Sequence, residues 1–515
     1  MASFQAHFTN IRLAFNRRLF LSCCLIAFSQ FNFGFDQTAF STTQAMNAFE
    51  RKFGVYNPAK KKWALEPSFL SLLNALPYIG FFAGVFIGSS ISSRFGRRMV
   101  MFTMSLHALV SVPITVTSTN KAHILTARIL NYIYLGMELA VVPVFQAEIV
   151  PPQVRGLVVA TYQGCIYVGG LVMSLICRGT STLEGNAQWQ IPLALFAVIP
   201  AIVAILIWFI PESPRWLLLK DRPEDSLNAL RALREGKFTE DEILSEFNAL
   251  KVRLARESEK GKYLELYRGP DLKRTMISIG MNVFLQVTGQ VFTARYGTVY
   301  IKSLGTVDPF VMTIVNQAVN LFAIGVSMVL VDHIGRRPLL FFSGFMQVAT
   351  WFCMAGLGTP HTKTHAMQTG LVALISVYNF GFCTGWAPLS HTVAAELPTS
   401  RLRDMTFRTA NAVNIILQLV ITLVIPYLMD AQYANLGSKV GYIFGPASIL
   451  AMVFTYYCVP ETKGKSLEDL DVLFVQGVPI RDFKSPMTVD YSKDGLEVET
   501  VKPAKESKAP HVEIV

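Results

Sequence analysis

Asp36 and Arg128 are ionisable residues within long apolar stretches of this 515-residue sequence, and reversible protonation of the carboxylate is the chemistry that they can support. Asp36 lies in the first apolar stretch and Arg128 in the fourth. A charged group is costly inside a lipid bilayer, so a carboxylate in such a stretch is a functional candidate by default. When a carboxylate faces an arginine, binding of a proton neutralises the carboxylate and releases the ion pair.

The sequence indicates no bond-making or bond-breaking chemistry. No nucleophile with a neighbouring base, no phosphate-binding loop and no cluster of metal ligands stands out. The seven cysteines lie within or at the ends of apolar stretches without metal-ligand spacing, and we interpret them as small core residues. We therefore expect no enzyme, no cofactor and no metal site.

Transmembrane helices are the elements that must position these residues. The chain is 52% hydrophobic and 16% charged, which is too apolar for a soluble protein. Apolar runs of about 20 residues, the length of a spanning helix, predict an all-α membrane protein with twelve transmembrane helices in two six-helix bundles. The predicted spans are 19–42, 68–92, 99–118, 122–146, 157–178, 190–210, 275–301, 309–331, 338–358, 368–394, 406–429 and 440–459.

The distribution of basic residues predicts the orientation. A net charge of +11 can indicate nucleic-acid binding, but the basic residues lie mainly in alternate loops, which is the pattern that sets membrane orientation. The loop that carries Arg51 and Lys60 lies on the opposite side, and such a long loop has less weight in this rule. We therefore expect both termini in the cytoplasm, the lipid bilayer as a partner, and no nucleic acid.

The depth of Asp36 and Arg128 makes them candidate partners. Asp36 is about 25 Å from the inner surface along span one, and Arg128 is about 10 Å from the outer surface along span four. In a hydrocarbon core of about 30 Å the two residues lie at comparable levels. Their pairing is consistent with proton coupling, and also with a permanent structural ion pair as in a facilitator.

Charged loops of one type occur twice, roughly 250 residues apart. Each copy has a Gly-Arg-Arg turn, then a glutamate with an arginine seven residues later, then a Pro-Glu sequence. Two similar halves around a midplane site are typical of alternating-access transporters. We predict ion-pair networks at the inner side that hold the halves together in one state and open in the other. The predicted gate residues are Arg94, Arg97, Glu148, Arg155, Glu212, Asp332, Arg336, Glu396, Arg403 and Glu461.

The repeated loops also divide the chain. We predict a cytoplasmic arm over 1–18, a six-helix bundle over 19–211, a cytoplasmic helical linker over 212–273, a second six-helix bundle over 274–460 and a cytoplasmic, largely disordered tail over 461–515. The linker has apolar residues at helical spacing between charges, which predicts short amphipathic helices.

Four motifs together resemble those of the sugar porter family of the major facilitator superfamily. They lie at Gln146 to Gly156, Pro211 to Trp216, Ala395 to Arg403 and Pro460 to Gly464. The resemblance covers about residues 19 to 475 and is closest to fungal hexose and α-glucoside permeases. It implies the major facilitator fold, with a substrate site between two bundles and no chemistry on the substrate.

The resemblance also implies roles for particular residues. Asp36 lies in a Gly-Phe-Asp sequence similar to the Gly-Tyr-Asp of proton-coupled members, and Arg128 matches an arginine of the family, so this pair is the predicted proton-coupling site. Side-chain amides suit a sugar because they offer both donors and acceptors. The predicted substrate-binding residues are Gln163, Gln286, Gln290, Asn414 and Trp386.

Spans seven and ten depart from the sugar porter pattern. Leu285, Val291 and Arg295 stand where the family has glutamine, asparagine and tyrosine, and His391 stands at the tryptophan. Each absent hydrogen-bond partner weakens hexose binding by about 1 to 3 kcal/mol if nothing replaces it. Arg295, expected near the outer mouth, can attract an anionic or bulkier substrate, or can extend to the lipid headgroups.

The sequence therefore predicts a secondary transporter of the plasma membrane, acting as a monomer on a sugar or related polyol with proton symport. Alternative substrates are a disaccharide, a polyol, a quinate-like organic acid or a fungal specialised metabolite that is exported. A non-transporting sugar sensor is the alternative from another class. Such receptors typically have a long cytoplasmic tail, whereas the tail here is short.

Overall fold

Helices form nearly all of the described chain. The structure is a computed structural model that describes residues 15–58, 61–151, 154–256, 262–360, 362–399, 401–430, 432–465, 467–484, 487–489 and 498–500. Its buried apolar side chains form two separate clusters, one within residues 19–233 and one within residues 277–483. Each cluster is the core of one helical bundle, as two repeated halves require.

Within the residues that the structure describes, the first bundle contains nine helices and a short hairpin. Its helices are α1 Arg17–Thr43, α2 Asn47–Phe53, α3 Pro67–Ala75, α4 Pro77–Phe95, α5 Arg97–Val116, α6 Lys121–Ile149, α7 Arg155–Thr180, α8 Ala187–Leu195 and α9 Val198–Leu206. A 3-10 turn over Ile207–Phe209 ends the bundle. Between α2 and α3, strands β1 (Val55–Asn57) and β2 (Lys62–Ala64) pair antiparallel. We call the end of the molecule that carries this hairpin the hairpin side.

The linker between the bundles lies at the other end, which we call the linker side. It contains α10 Pro214–Leu219, α11 Pro223–Arg234, α12 Glu240–Arg256 and a 3-10 turn over Tyr263–Tyr267. It contacts both bundles: the Arg234 guanidinium donates to the Ile149 carbonyl (2.9 Å), and the Tyr263 hydroxyl lies 3.0 Å from that of Thr409. The predicted amphipathic helices of this segment are therefore present.

The second bundle and the tail complete the chain. The remaining elements are α13 Gly269–Val287, α14 Gly297–Leu304, α15 Pro309–Ile334, α16 Arg336–Gly358, α17 His365–Thr384, α18 Trp386–Glu396, α19 Arg403–Met429, α20 Gly441–Cys458, α21 Leu467–Val475, β3 Met487–Val489 and β4 Val498–Thr500, with a π-helical turn over Phe292–Tyr296 and 3-10 turns over Gly437–Val440 and Ile480–Lys484. Strands β3 and β4 pair antiparallel.

Ten helical segments in the described part are long and apolar enough to cross a membrane. The other two predicted spans are also helical: one is α7, and the other consists of α13 and α14 on either side of a break. Exposed apolar side chains such as Phe322 and Phe345 cover the outer faces of the helices, as contact with lipid requires.

Glycines let α1 and α7 pack at backbone distance. A Cβ at Gly34 would lie 1.8 Å from the Ile166 carbonyl oxygen, and one at Gly169 would lie 2.0 Å from that of Phe31. Small residues at helix crossings are typical of membrane proteins, because association in lipid depends on close van der Waals contact. This crossing holds α1, which carries Asp36, against the helix that carries Gln163.

Part of the predicted tail, residues 467–484, packs against the second bundle. Leu470, Leu473 and Phe483 are buried against the second bundle, and the Arg274 guanidinium forms an ion pair with Asp471. Buried apolar side chains give this stretch a packed position that its composition did not predict. Residues 485–486, 490–497 and 501–515 lie outside the described residues.

Candidate functional site

A network of charged side chains joins the elements of the first half at the linker side. Arg97 begins α5 and donates from Nε and Nη2 to the two carboxylate oxygens of Glu148, both at 2.9 Å. The Ser213 hydroxyl donates to the same carboxylate at 2.6 Å. Glu212 accepts from the backbone N–H groups of Arg97 (3.1 Å) and Arg98 (3.2 Å), and so caps the helix. We call this set the first-half network.

Burial and hydrogen bonding have opposite effects on the pKa of Glu212. Removal from water raises the pKa of this carboxyl, while the N–H donors of Ser213, Arg98 and Arg97 oppose the rise. Because a capping carboxylate must accept hydrogen bonds, the ionised form is the one that holds the turn after α4 against α5.

The second half repeats this arrangement of residues, with one bond between the arginine and the glutamate where the first half has two. Arg336 donates to Glu396 (3.1 Å), and the Thr462 hydroxyl donates to the other oxygen of Glu396 (2.6 Å). Glu461 accepts from the N–H groups of Arg336 and Arg337, both at 3.0 Å. We call Arg336, Glu396, Glu461 and Thr462 the second-half network. The sequence repeat is therefore a repeat of one capped, ion-paired helix junction.

One glycine in each half makes this junction possible. Gly96 has φ +98° and Gly335 has φ +102°, a region that residues with a side chain rarely adopt. A Cβ added at Gly96 would lie 2.4 Å from Glu212 Oε2, and one added at Gly335 would lie 2.8 Å from Glu461 Oε2. Glycine thus allows both the turn and the close approach of the capping carboxylate.

We expect Gly335→Ala to lower the unfolding free energy by about 1 to 3 kcal/mol, because the variant must strain its backbone and displace Glu461. Thermal unfolding in detergent measures this change. Gly179→Ala is the matched control, since Gly179 lies in α7 with no neighbouring atom within 4 Å of its added Cβ. An equal loss of stability in both variants would contradict the assignment of Gly335.

Two predicted gate residues, Arg94 and Arg403, form no bond to these networks among the described residues. Arg94 is exposed and bonds to no described residue. Arg403 keeps Nε and Nη2 buried without a hydrogen bond, because Glu396, its expected partner, is engaged by Arg336 and Thr462. The side chains of Arg155 and Asp332 lie outside the described residues.

The networks also differ from the prediction in what they connect. The sequence predicted ion pairs that hold the two halves together. Among the described residues, Arg97 bonds to Glu148 and Glu212 of the first half. Arg336 bonds to Glu396 and Glu461 of the second half. Each network therefore fixes helices of its own half in this conformation.

Asp36 and Arg128 meet as a buried ion pair in the first bundle. Arg128 Nη1 lies 3.2 Å from Asp36 Oδ1 and 3.3 Å from Oδ2. Both side chains are almost fully buried, and the guanidinium lies 3.5 Å from the ring centre of Phe40 and 4.7 Å from that of Tyr132. The depth argument predicted these two partners, while the aromatic rings around Arg128 come from the tertiary structure alone.

A chain of side-chain amides links α13 and α19 in the second bundle. Gln286 Nε2 donates to Asn414 Oδ1 (3.0 Å), and Asn414 Nδ2 donates to Asn282 Oδ1 (2.9 Å). The carbonyl oxygens of Gln286, Gln290 and Gln317 are buried and accept no hydrogen bond from any described residue. Free buried acceptors of this kind suit a ligand that donates hydroxyl groups.

Comparison with known proteins identifies the family of this fold. The model of the family described as "Sugar (and other) transporter" matches residues 22–474. The chain belongs to the sugar transporter family. The hexose transporter HXT13 of Saccharomyces cerevisiae is 27% identical over 500 residues, which cover 95% of this chain and 88% of that protein. The high glucose sensor RGT2 of the same yeast is 29% identical over 421 residues, which cover 80% of this chain and 54% of the sensor, about half of its length.

The fold of this sugar transporter family member is that of the major facilitator superfamily. The inward-open structure of the xylose transporter XylE from E. coli superposes with a TM-score of 0.72 at 22% identity, covering 88% of this chain and 99% of XylE. The predicted family, fold class and absence of enzymatic activity are confirmed. The chain is a multi-pass membrane protein.

The bundles of this family member contact each other at the hairpin side and near the middle of the molecule. These contacts are Lys302 with Glu50 (2.7 Å), Arg178 with Asp308 (3.2 Å), Ser71 with the Leu423 carbonyl (2.6 Å), Arg295 with Tyr132 (2.8 Å) and Tyr78 (3.1 Å), Gln317 with Thr38 (3.0 Å) and Cys383 with Tyr167 (3.4 Å). The bonds of the linker-side networks given above each join residues of one half. The hairpin side is therefore closed in this conformation.

One sequence-based alternative needs correction. Arg295 does not extend to the lipid headgroups, because it is buried and donates to two tyrosines of the other bundle. Trp386 is fully buried, and its ring packs near Phe284 and Gly344 inside the second bundle. Its Nε1 has no hydrogen-bond acceptor among the described residues, and its contact with a substrate stays a prediction.

Several residues of these sites were missed in the sequence. Ser213 and Thr462 follow the two Pro-Glu sequences at the same position, and that repeat was a usable signal. Asn282 lies four residues before Gln286, which is helical spacing. The contacts of Tyr132 with Arg128 and Arg295 could not be predicted from the sequence, since aromatic residues are common in apolar spans.

Proposed function

We propose that this protein is a secondary transporter that moves a sugar or a related polyol across the membrane by alternating access, with proton symport. The observation that carries the proposal is the set of free buried amide acceptors on α13, just after α13 and on α15, in the same molecule as the buried Asp36–Arg128 pair. The names of the yeast and bacterial relatives point to the same class of substrate.

The substrate site of this proposal consists of amides from both halves. Gln286, Gln290 and Asn414 belong to the second bundle, and Gln163 on α7 belongs to the first. Gln317 joins this set, because its carbonyl is free while its amide donates to Thr38 across the bundle interface. Hydroxyl groups of a sugar would satisfy the free carbonyl oxygens without displacing the existing amide bonds.

The proton site of this proposal is Asp36. Protonation neutralises the carboxylate and leaves Arg128 without its counter-charge, so the ion pair exists only in the deprotonated state. Arg128 then retains its contacts with the rings of Phe40 and Tyr132, which can stabilise a cation. The pair thus has two arrangements that proton binding can select.

Alternating access would exchange the closed hairpin side for a closed linker side. Opening the hairpin side breaks the bonds between the bundles, including Lys302 with Glu50 and Arg295 with Tyr132. The two networks keep each half rigid during this movement, since they bond within the halves. In the first network, Arg97 bonds to both Glu148 and Glu212. In the second, Arg336 bonds to both Glu396 and Glu461.

Topology and location are parts of the proposal. We place the linker side in the cytoplasm because the basic loops lie there, with both termini on that side and the protein in the plasma membrane. The functional units would be the bundles 19–211 and 274–460 with the linker 212–273, working as a monomer in the lipid bilayer.

Uptake of labelled sugars, polyols and sugar acids tests this proposal. The chain is expressed in yeast that lacks its own hexose transporters, and uptake is measured at acidic and at alkaline pH, with and without a protonophore. We expect accumulation of at least one sugar or polyol that is faster at acidic pH. Equal uptake under all conditions would reject proton symport, and the absence of uptake for every compound would reject import.

The sensor relative supports a second candidate function. A protein similar to the high glucose sensor would bind a sugar and change conformation without transport. The same cells distinguish the two candidates: a sensor changes the transcription of glucose-responsive genes while uptake stays at the level of cells without the chain.

We expect Asn414→Leu to raise the KM for the transported sugar about tenfold, because the change removes the acceptor of Gln286 and the donor to Asn282. Initial uptake rates over a range of sugar concentrations give this KM. Asn131→Leu is the control, since this buried amide of the first bundle bonds to Thr115 instead. An unchanged KM in Asn414→Leu would remove this amide chain from the proposed site.

A further inference from the structure

Arg295 is a buried cation with neutral partners. The residue is 5% exposed, and its guanidinium donates from Nη1 to the Tyr132 hydroxyl (2.8 Å) and from Nη2 to the Tyr78 hydroxyl (3.1 Å). No carboxylate of the described residues lies within ion-pair distance of it. Burying a charge without a counter-charge is unfavourable, so a structure that keeps one has a specific use for it.

Both partners of Arg295 belong to the other half of the protein. Tyr78 lies on α4 and Tyr132 on α6, whereas Arg295 lies in the π-helical turn between α13 and α14. Single π-helical turns occur frequently at functional sites because they redirect side chains. The neighbouring Tyr296 instead donates to the Thr422 carbonyl (2.8 Å) of its own bundle, which fixes the turn. These bonds of Arg295 therefore form only when the hairpin side is closed.

The ring of Tyr132 lies near two guanidinium groups. The Arg128 guanidinium is 4.7 Å from its centre and the Arg295 guanidinium, which belongs to the other half of the protein, is 6.0 Å from it. Since Asp36 pairs with Arg128, the charges −1, +1 and +1 of Asp36, Arg128 and Arg295 sum to +1. Protonation of Asp36 raises the sum to +2. Among the described residues, the titratable groups that interact with this cluster include Tyr78, Tyr132, Tyr134 and Tyr296, and Glu138 interacts with Tyr134.

We propose that Arg295 is a positioning residue that links closure of the hairpin side to the charge of Asp36. With Asp36 deprotonated, Arg128 is neutralised and Arg295 can stay bonded to Tyr132. With Asp36 protonated, two uncompensated cations lie near the same ring, and their repulsion disfavours closure. The inference rests on the proposed proton symport and adds a rule to it: the protonated protein closes its hairpin side only when a bound substrate supplies the free energy.

This rule prevents proton leak. The proton moves from water at the hairpin side to Asp36 and leaves at the linker side after closure. Both guanidinium groups lie within 6.0 Å of the Tyr132 ring centre, so they are at most about 11 Å apart. At this distance and an effective dielectric constant of about 20, two unit charges repel enough to change an equilibrium constant about tenfold. Without substrate, closure of the protonated form, and hence proton passage, is suppressed by about this factor.

Spin-label distances across the hairpin side test the link. The spin labels are attached at Leu183→Cys and Tyr433→Cys in a background without the native cysteines. Leu183 and Tyr433 are 41% and 57% exposed, and they lie in hairpin-side loops of opposite halves. Asp36→Asn imitates the protonated state. We expect it to increase the ratio of long to short distances about tenfold.

The effect of Asp36→Asn is then measured in two backgrounds. In Arg295→Gln we expect it to fall below about twofold, because the second cation is gone. In Tyr78→Phe, which also loses one bond to Arg295 but keeps the charge, we expect the tenfold effect to remain. Arg295→Lys should restore it as well. An equal effect of Asp36→Asn in the Arg295→Gln background would overturn the proposal.

Proton leak is a second measurement that a purely structural role would not change. In proteoliposomes without substrate, we expect Arg295→Gln to admit protons about tenfold faster than the unmodified protein and Arg295→Lys to restore the low rate. Leak rates that ignore residue 295 would overturn the leak rule. The distance measurements need no transported sugar, so their result is independent of whether the proposed substrate class is correct.

Discussion

Asp36→Asn is expected to abolish accumulation of substrate against its gradient while leaving exchange across the membrane intact. Asparagine keeps the size of the side chain but cannot bind and release a proton, so the proton gradient can no longer drive the cycle. Uptake into energised vesicles measures accumulation, and exchange of internal for external labelled substrate measures the conformational cycle. In the variant we expect accumulation at the equilibrium level and no response to a protonophore.

Controls separate coupling from a structural role of the pair. Asp36→Glu keeps the charge and should retain part of the accumulation. Glu138→Gln removes another fully buried carboxyl on the helix that carries Arg128 and should accumulate substrate normally. If Asp36→Asn loses exchange together with accumulation while its thermal stability also falls, the pair is a permanent structural ion pair and coupling lies elsewhere.

Glu148→Met is expected to lower the unfolding free energy by about 3 kcal/mol and to abolish transport. The two side chains of the Arg97–Glu148 pair are only 12% and 7% exposed, so the change leaves a nearly buried arginine without its counter-charge. The Ser213 hydroxyl loses its acceptor as well. Thermal unfolding in detergent and initial uptake rates measure the two effects.

A double variant tests the physical reason for this loss. Arg97→Met combined with Glu148→Met removes both charges, and it should recover part of the stability because no buried charge remains unpaired. The exposed pair of Arg222 and Asp225 provides the control, since breaking a pair with 55% and 51% exposure should change stability by less than about 1 kcal/mol. A double variant as unstable as Glu148→Met would show that the charge imbalance is not the cause.

The two halves offer an internal comparison. In the second half, the Arg336 and Glu396 side chains are 16% and 25% exposed, so water already screens part of that pair. The destabilisation by Glu396→Met should therefore be smaller than that by Glu148→Met.

Periodicity and repetition determined the architecture from the sequence alone. A bilayer requires about 20 apolar residues per helix and places basic loops on one side, so span positions can be predicted without any tertiary information. The repeated Gly-Arg-Arg and Pro-Glu sequences identified Arg97, Glu148, Arg336 and Glu396 because each half must close the same junction. Even the partnership of Asp36 with Arg128 followed from depth, since helical rise converts residue number into height.

Only the tertiary structure decided which side chains meet across the helices. Glu396 bonds to Arg336 rather than to Arg403, and the Trp386 ring lies in a core, because these outcomes depend on helix rotation and packing. Arg295 is the clearest case: its sequence context indicated an outer mouth, yet a π-helical turn directs it onto Tyr132 and Tyr78 of the other half. Sequence periodicity gives the height of a residue in the membrane, but the partner of a side chain depends on how two bundles dock.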